Sequence, residues 1–308
     1  MTAALPPSPS PAAPRRAPLR LLRGAALLRV AGLCGLLGLA PLAACGPTAR
    51  DAQRQREETA KYHAELAYGY LMESGDVTAA LQEIIQSLKL HEPDASANMT
   101  AGVIFMARQD WLKALRYFKR ALELKPDFHE AKNNLGSVYL ALGQWSEAAV
   151  VFEELTGELE YSSPALGYNN LGWALFQLRR LEEAKRALLT ATQLDARLCP
   201  PHNNLGLIYL ELREHDAAER ALRRALTQCP TYVEPHLHLA RLYLSAGEGD
   251  LARPLLERCV QLGGEGELGL RCERLLEELA EGAERAAGGG REGRNEMEGA
   301  AGGARLER

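Results

Sequence analysis

The chain has 308 residues, 46% hydrophobic, 25% charged and 6% aromatic, which is apolar enough for one or two packed domains and excludes a disordered or fibrous chain. Its 36 Lys and Arg nearly balance its 40 Asp and Glu, but all five charges of the first 44 residues are Arg. Without that segment 31 bases face 40 acids, a net charge of −9, and a nucleic-acid partner is disfavoured because phosphate binding leans on a basic face that releases counterions.

In chain order, residues 1 to 29 are rich in Pro, Ala and Arg, and Val30 to Leu39 is an apolar run leading to Leu42-Ala43-Ala44-Cys45. That is a charged region, a short apolar region and a small-residue cleavage site. Val30 to Ala44 is 15 residues long and interrupted by Gly32, Gly35, Gly38 and Pro41, too short and broken for a comfortable bilayer-spanning helix. Leu42-Ala43-Ala44-Cys45 resembles the lipobox of bacterial lipoproteins. The resemblance implies a signal peptide over 1–44, cleavage before Cys45 and lipid on the Cys45 thiol and the new amino terminus. Several acyl chains on one residue anchor stably, at about 0.8 kcal/mol per buried methylene. A plain secretory signal with a chance Cys is the other reading. Gly46 is not the Asp that tends to retain enteric lipoproteins on the inner membrane, so the expected destination is the outer membrane, facing the periplasm.

Residues 45–58 read as a lipidated N-terminus and polar tether. From there on, Ala80, Ala114, Ala148, Ala184, Ala218 and Ala252 recur at spacings of 34, 34, 36, 34 and 34 residues. A 34-residue period with a small residue at a fixed place is the signature of tetratricopeptide repeats. Counting these alanines as position 20, positions 7 and 8 read Ala101-Gly102, Leu135-Gly136, Leu171-Gly172, Leu205-Gly206 and Leu239-Ala240, and position 24 reads Phe118, Phe152, Leu188, Leu222 and Leu256. The resemblance implies an all-α fold: a right-handed superhelix of about six tetratricopeptide helical hairpins over 59–280, plus a C-terminal capping helix. The repeats fall at about 60–93, 95–128, 129–163, 165–198, 199–232 and 233–264, with the cap at 268–279. Small residues at positions 8 and 20 let the two helices of a hairpin approach, and no hairpin alone buries its apolar face, so the units must stack. The first repeat needs a one-residue adjustment between Leu66-Ala67 and Gly75, and a two-residue excess in Thr156 to Pro164 reads as a lengthened turn. Residues 281–308, rich in Gly, Arg and Glu, are expected to be disordered.

Cys259 and Cys272 make a packing pair, and Cys199 and Cys229 bracket repeat five; an oxidising compartment permits disulfides, with buried thiols the alternative for each. No CxxC spacing occurs and the histidines lack helical ligand geometry, so no metal is expected. Gly264-x-Gly266-x-x-Gly269 has the letters of a dinucleotide fingerprint but no strand before it, and reads as a linker. No nucleophile elbow, Walker loop or catalytic carboxylate pair is present. No catalytic residue, small-molecule substrate or cofactor other than the lipid on Cys45 is expected.

In stacked repeats of this kind the first helix of each hairpin lines the concave face. Asn133-Asn134, Asn169-Asn170 and Asn203-Asn204 recur there before each Leu-Gly. Asn offers donor and acceptor, so a ladder of them can grip an extended backbone, as the asparagine clamps of similar repeat proteins do; local bonding to an adjacent turn is the alternative. Positions 9 and 12 give Val103, Met106, Leu140, Trp173, Phe176, Leu207, Leu210 and Leu244, apolar where an isolated solenoid would carry charge. Such a stripe is either a partner site or buried against the next helix; beside the asparagines it fits an amphipathic or extended peptide.

A lipobox followed by repeats over residues 45 to 279 resembles the pilotin lipoproteins of type IV pilus systems, the PilF/PilW-like and Tgl-like family. The family implies a non-enzymatic protein-binding scaffold at the outer membrane whose partner is a secretin subunit. An adaptor for periplasmic cell-wall hydrolases or proteases, using the same anchor and groove, is the alternative.

Overall fold

The computed structural model describes residues 48–90 and 94–282, and every regular element among them is helical, as the repeat period predicts. The signal segment 1–44, the lipidation candidate Cys45 and residues 283–308 lie outside the described residues. The chain forms two compact units, one up to Ala97 and one from Asn98 onward.

The first unit is a hairpin of α1 (Ala49–Gly69), a π-turn (Tyr70–Ser74) and α2 (Val77–Leu90). The stretch expected as a tether is thus helical from Ala49. It has no apolar period to announce it, but a capping box starts it: Asp51 N–H donates to Thr48 Oγ1 at 3.2 Å and Thr48 N–H donates to Asp51 Oδ2 at 2.9 Å. An Arg54–Glu58 pair at 3.0 Å adds i,i+4 support. Further along, Ala60, Ala64 and Ala67 are buried on one stripe of α1, and Ala80 and Ile84 are buried on α2. The one-residue mismatch in the sequence register is absorbed by the π-turn, whose wider i→i+5 loop holds one extra residue and closes on left-handed Gly75, at φ 67°. Across the hairpin, His63 Nδ1 lies 2.6 Å from Glu83 Oε2.

The second unit, which takes in α3 from Asn98, stacks five hairpins: α3 (Ala95–Ala107) with α4 (Trp111–Leu124), α5 (His129–Ala141) with α6 (Trp145–Thr156), α7 (Pro164–Gln177) with α8 (Leu181–Leu194), α9 (Cys199–Glu211) with α10 (His215–Gln228), and α11 (Val233–Ser245) with α12 (Gly249–Gly263). A last helix, α13, covers residues 267–282. Each hairpin turns on a left-handed residue, in order Gln109, Gly143, Arg179, Arg213 and Gly247. The first four are also locked internally by glycine, where the fifth has Ala240 beneath Leu256. A Cβ on Gly102, Gly136, Gly172 or Gly206 would come within 2.5–2.6 Å of Phe118, Phe152, Leu188 or Leu222, respectively, so glycine at position 8 is what admits the large fully buried side chain at position 24. Burial of each such side chain contributes roughly 1.5–3 kcal/mol. First helices meet first helices from hairpin to hairpin (α5 with α7, α7 with α9, α9 with α11), giving a continuous face.

The two-residue excess forms the turn between α6 and α7, and it folds back onto α5. Glu158 accepts from Lys132 and lies 2.6 Å from His129 Nε2. Tyr161 is buried, which pushes its hydroxyl up to about 12, and it donates to Asn133 Oδ1 at 3.3 Å. A Cβ on Gly167 would sit 2.9 Å from the Tyr161 ring, so this turn also depends on a glycine beneath it.

Candidate peptide-binding groove

The predicted groove residues lie on the first helices α3, α5, α7, α9 and α11, but their burial divides them. Asn169, Asn170 and Asn203 are only 2%, 5% and 4% exposed, and Leu140 is 9% exposed. These four pack between helices and do not offer side chains to an open groove. The reason is a relay: Asn203 donates to Asn204 Oδ1 at 3.5 Å, Asn204 donates to Asn169 Oδ1 at 3.1 Å and Asn169 donates to Asn170 Oδ1 at 3.1 Å. The amides pair across α7 and α9, which lowers the cost of burying them, with Asn203 Oδ1 left buried and without a hydrogen-bond partner among the described residues. Asn133 accepts from Tyr161. Asn134 and Asn204 stay half-exposed at the surface of the groove.

The apolar stripe is intermediate as well. Val103, Met106, Trp173, Phe176, Leu207, Leu210 and Leu244 are each partly buried and none is fully exposed. Trp173 and Phe176 stack at 5.5 Å between ring centroids, and both lean on the central core of Leu171, Leu175 and Ile208. The stripe therefore presents ring faces and methyl groups to solvent while its bases are packed, which suits shallow apolar contacts along a peptide.

The sequence reading missed the far end of this face. Between α11 and α13 lies a cavity of about 160 Å³ lined by Leu237, Arg241, Arg271, Arg274, Leu275 and Glu278. Beside it a cavity of about 390 Å³ is lined by Leu244, Leu275, Glu278, Leu279 and Gly282. Carrying the 34-residue register one step past repeat six would have found them. Leu237, Arg241 and Leu244 hold positions 5, 9 and 12 on α11, and Arg271, Leu275 and Glu278 hold the same positions on α13. The cap is thus the first helix of an incomplete seventh repeat.

His238, at the register place of Asn134, Asn170 and Asn204, sits against this end. Burial, with Arg241 and Arg271 nearby, drives its imidazole down to about 4, so it is neutral at physiological pH.

Both cysteine pairs are bonded. Cys199–Cys229 joins the start of α9 to the end of α10, and Cys259–Cys272 bolts α13 to α12. The Gly264-x-Gly266-x-x-Gly269 stretch is the α12–α13 turn, where a Cβ on Gly269 would stand 2.0 Å from the Gly264 carbonyl oxygen. Those glycines serve close backbone packing. Among the described residues no cluster of three or more His, Cys, Asp or Glu side chains is arranged to hold a metal, and no helix is long and apolar enough to cross a membrane.

With this geometry in hand, the sequence profile of the tetratricopeptide repeat matches residues 69–127, 99–163, 133–198 and 169–233, and a second profile of the same repeat matches 209–261. The BBSome complex member BBS4 of Bos taurus is 32% identical over 143 residues, 44% of this chain and 26% of its own length. The chain thus spans about a quarter of the length of the curated relatives it matches. Two solved structures are alike in fold: the type IV pilus biogenesis factor PilW, at 18% identity, 69% of this chain, 97% of that one and a TM-score of 0.62, and Pseudomonas aeruginosa PilF, at 18% identity, 71% of this chain, 99% of that one and a TM-score of 0.60.

Proposed function

This chain belongs to the tetratricopeptide-repeat family, and we propose that it is a membrane-anchored scaffold that binds a protein partner on the face made by its first helices. The observation that carries the proposal is the pairing of that continuous face, with its half-buried Trp173, Phe176, Leu207 and Leu210, to the Leu42-Ala43-Ala44-Cys45 motif upstream of it. Lipid on Cys45 would hold the solenoid at the periplasmic side of the outer membrane. The two disulfides suit that oxidising compartment. The fold likeness to PilW and PilF favours a type IV pilus secretin as the client, with the scaffold acting as its pilotin. Anchor and groove together raise the local concentration of secretin subunits at the membrane, which makes ring assembly effectively intramolecular.

The test is the amount of heat- and detergent-resistant secretin multimer in membranes of a strain lacking this protein, beside strains carrying Cys45→Ala or Trp173→Glu with Leu207→Glu. Loss of multimer with secretin monomer still made is the expected result in the deletion. The Cys45 variant reports the anchor and the double Glu variant the groove, provided its helical content matches the parent. Normal multimers in the deletion strain would remove the pilotin role and leave the cell-wall adaptor as the reading to test.

A further inference from the structure

The first-helix face changes character at its end. Position 9 is the uncharged Val103, Ser137, Trp173 and Leu207 in earlier repeats and becomes Arg241 on α11, while α13 adds Arg271 and Arg274 to the same cavity. None of these three guanidiniums has an ion-pair or hydrogen-bond partner among the described residues. The chain is not short of acids: Arg54, Arg120, Arg179, Arg180 and Arg223 all pair with glutamates. Guanidinium groups have donors and no acceptor, so three side by side cannot satisfy one another, and the acid that lines the same cavity, Glu278, offsets one of the three charges and leaves the cleft net positive.

We propose that the cleft between α11 and α13 binds an acidic segment of the partner, with peptide carboxylates on Arg241, Arg271 and Arg274 and the apolar side chain beside them on Leu244, Leu275 and Leu279. This site extends the peptide-binding face proposed above, on which it rests. Arg forks match carboxylates bidentately, giving both energy and orientation. A polyphosphate or nucleic acid fits less well, because the cationic cleft opens directly onto the larger apolar cavity and the whole chain is acidic. The helix that carries Arg271 and Arg274 is pinned at Cys272 by its bond to Cys259, so the backbone bearing two of the three guanidiniums is fixed before the ligand arrives. Neutral His238 adds no competing charge of its own and lies where it would sense an arriving anion. A charged end on an otherwise apolar face also gives a bound peptide a direction, with its acidic part toward α13.

The experiment uses the oxidised mature chain and fluorescein-labelled Gly-Ser-Gly-Asp-Glu-Leu-Leu-Gly with an amidated C-terminus, followed by fluorescence anisotropy. The expected result is saturable binding that weakens at least tenfold for the Asn/Gln analogue and at least tenfold for Arg271→Gln with Arg274→Gln, whose thermal melt matches the parent. A third peptide, Asn/Gln internally but with a free C-terminal carboxylate, distinguishes the source: tight binding there assigns the site to a chain terminus, and weak binding assigns it to side-chain carboxylates. In an NMR titration the His238 ring should take up its proton at higher pH in the complex, a change that a purely structural role for the arginines would not produce. Equal affinity for the acidic and amide peptides, or parental affinity in the arginine variant, overturns the site. The two proposals fail separately. If the peptide behaves as expected but Trp173→Glu with Leu207→Glu leaves secretin multimers intact, the pilotin reading falls and the cationic site stands.

Discussion

The middle of the first-helix face and its end solve the same problem in opposite ways. On α7 and α9, positions 5 and 6 are asparagines linked by hydrogen bonds among themselves, and Asn169, Asn170 and Asn203 lie within the packing with Asn203 Oδ1 left without a partner among the described residues. On α11 and α13, positions 5, 6 and 9 bring Leu237, His238, Arg241 and Arg271 together, and the acid on the same cavity, Glu278, forms no ion pair with the arginines among the described residues. Residues with both donors and acceptors can largely close a network internally, whereas donors alone are left to water or to a ligand. Polar residues at equivalent repeat positions are therefore structural in one place and available in another, and side-chain chemistry decides which.

The strongest way to separate the two regions is to cut the bolt that holds only one of them. Cys259→Ser with Cys272→Ser opens a loop of sequence separation 13, worth about 3 kcal/mol by loop-closure entropy. The denaturant midpoint should fall and amide exchange should quicken in α13 while α7 and α9 keep their protection; uniform loss across the unit would contradict the division.

Acid comes next. His238 is neutral in the folded chain down to about pH 4, while its unfolded counterpart takes a proton near the ordinary 6.5. The unfolded state binds more protons between those values, so stability is full above about pH 6.5 and declines as pH falls toward 4, by up to about 3 kcal/mol. Burial lowers His202 and His236 too, and they add to the same slope. His238→Asn, which restores the residue of the middle repeats, should flatten the difference between urea titrations at pH 7 and pH 4.5, and an unchanged difference would show that this end does not carry it.

The relay itself predicts an asymmetry between neighbours. Asn169→Ala strands Asn204 Nδ2 and Asn170 Oδ1 and should cost about 1–3 kcal/mol. Asn134→Ala, half-exposed and outside the relay, should change stability by less than about 0.5 kcal/mol by the same melt. A change of the opposite sign is expected from Arg213→Gly, in the turn between α9 and α10, which relieves a left-handed residue at φ 60° and should add about 0.5–1 kcal/mol.

The fold was legible because one period runs through the chain and each hairpin repeats the same small-against-large contact. Two local departures could be counted in the sequence, but their form could not. An extra residue before Gly75 can be taken up as a bulge, a loop or a π-turn, and the helix chooses the last. The start of α1 escaped notice because Thr48 to Glu58 has no apolar stripe, although Thr48 and Asp51 stand at capping-box spacing. At the candidate site the face was assigned from the register, yet exposure along it was not. Whether Asn169 meets solvent or Asn204 depends on how close two helices come, a tertiary distance that no residue letter carries. The arginine cleft escapes for a simpler reason: read as an amphipathic cap over the last apolar face, Leu268 to Leu279 gives no cause to follow its register with α11.

The lock between position 8 and position 24 has a consequence for how such a chain can change over time. Gly102 with Phe118, Gly136 with Phe152, Gly172 with Leu188 and Gly206 with Leu222 each lie inside a single hairpin, so a gene duplication or deletion of one whole unit moves lock and key together. The asparagine relay instead straddles neighbouring units, from α7 to α9. Copy number can drift freely at the level of packing, while the order of hairpins is remembered only where amides reach across the seam.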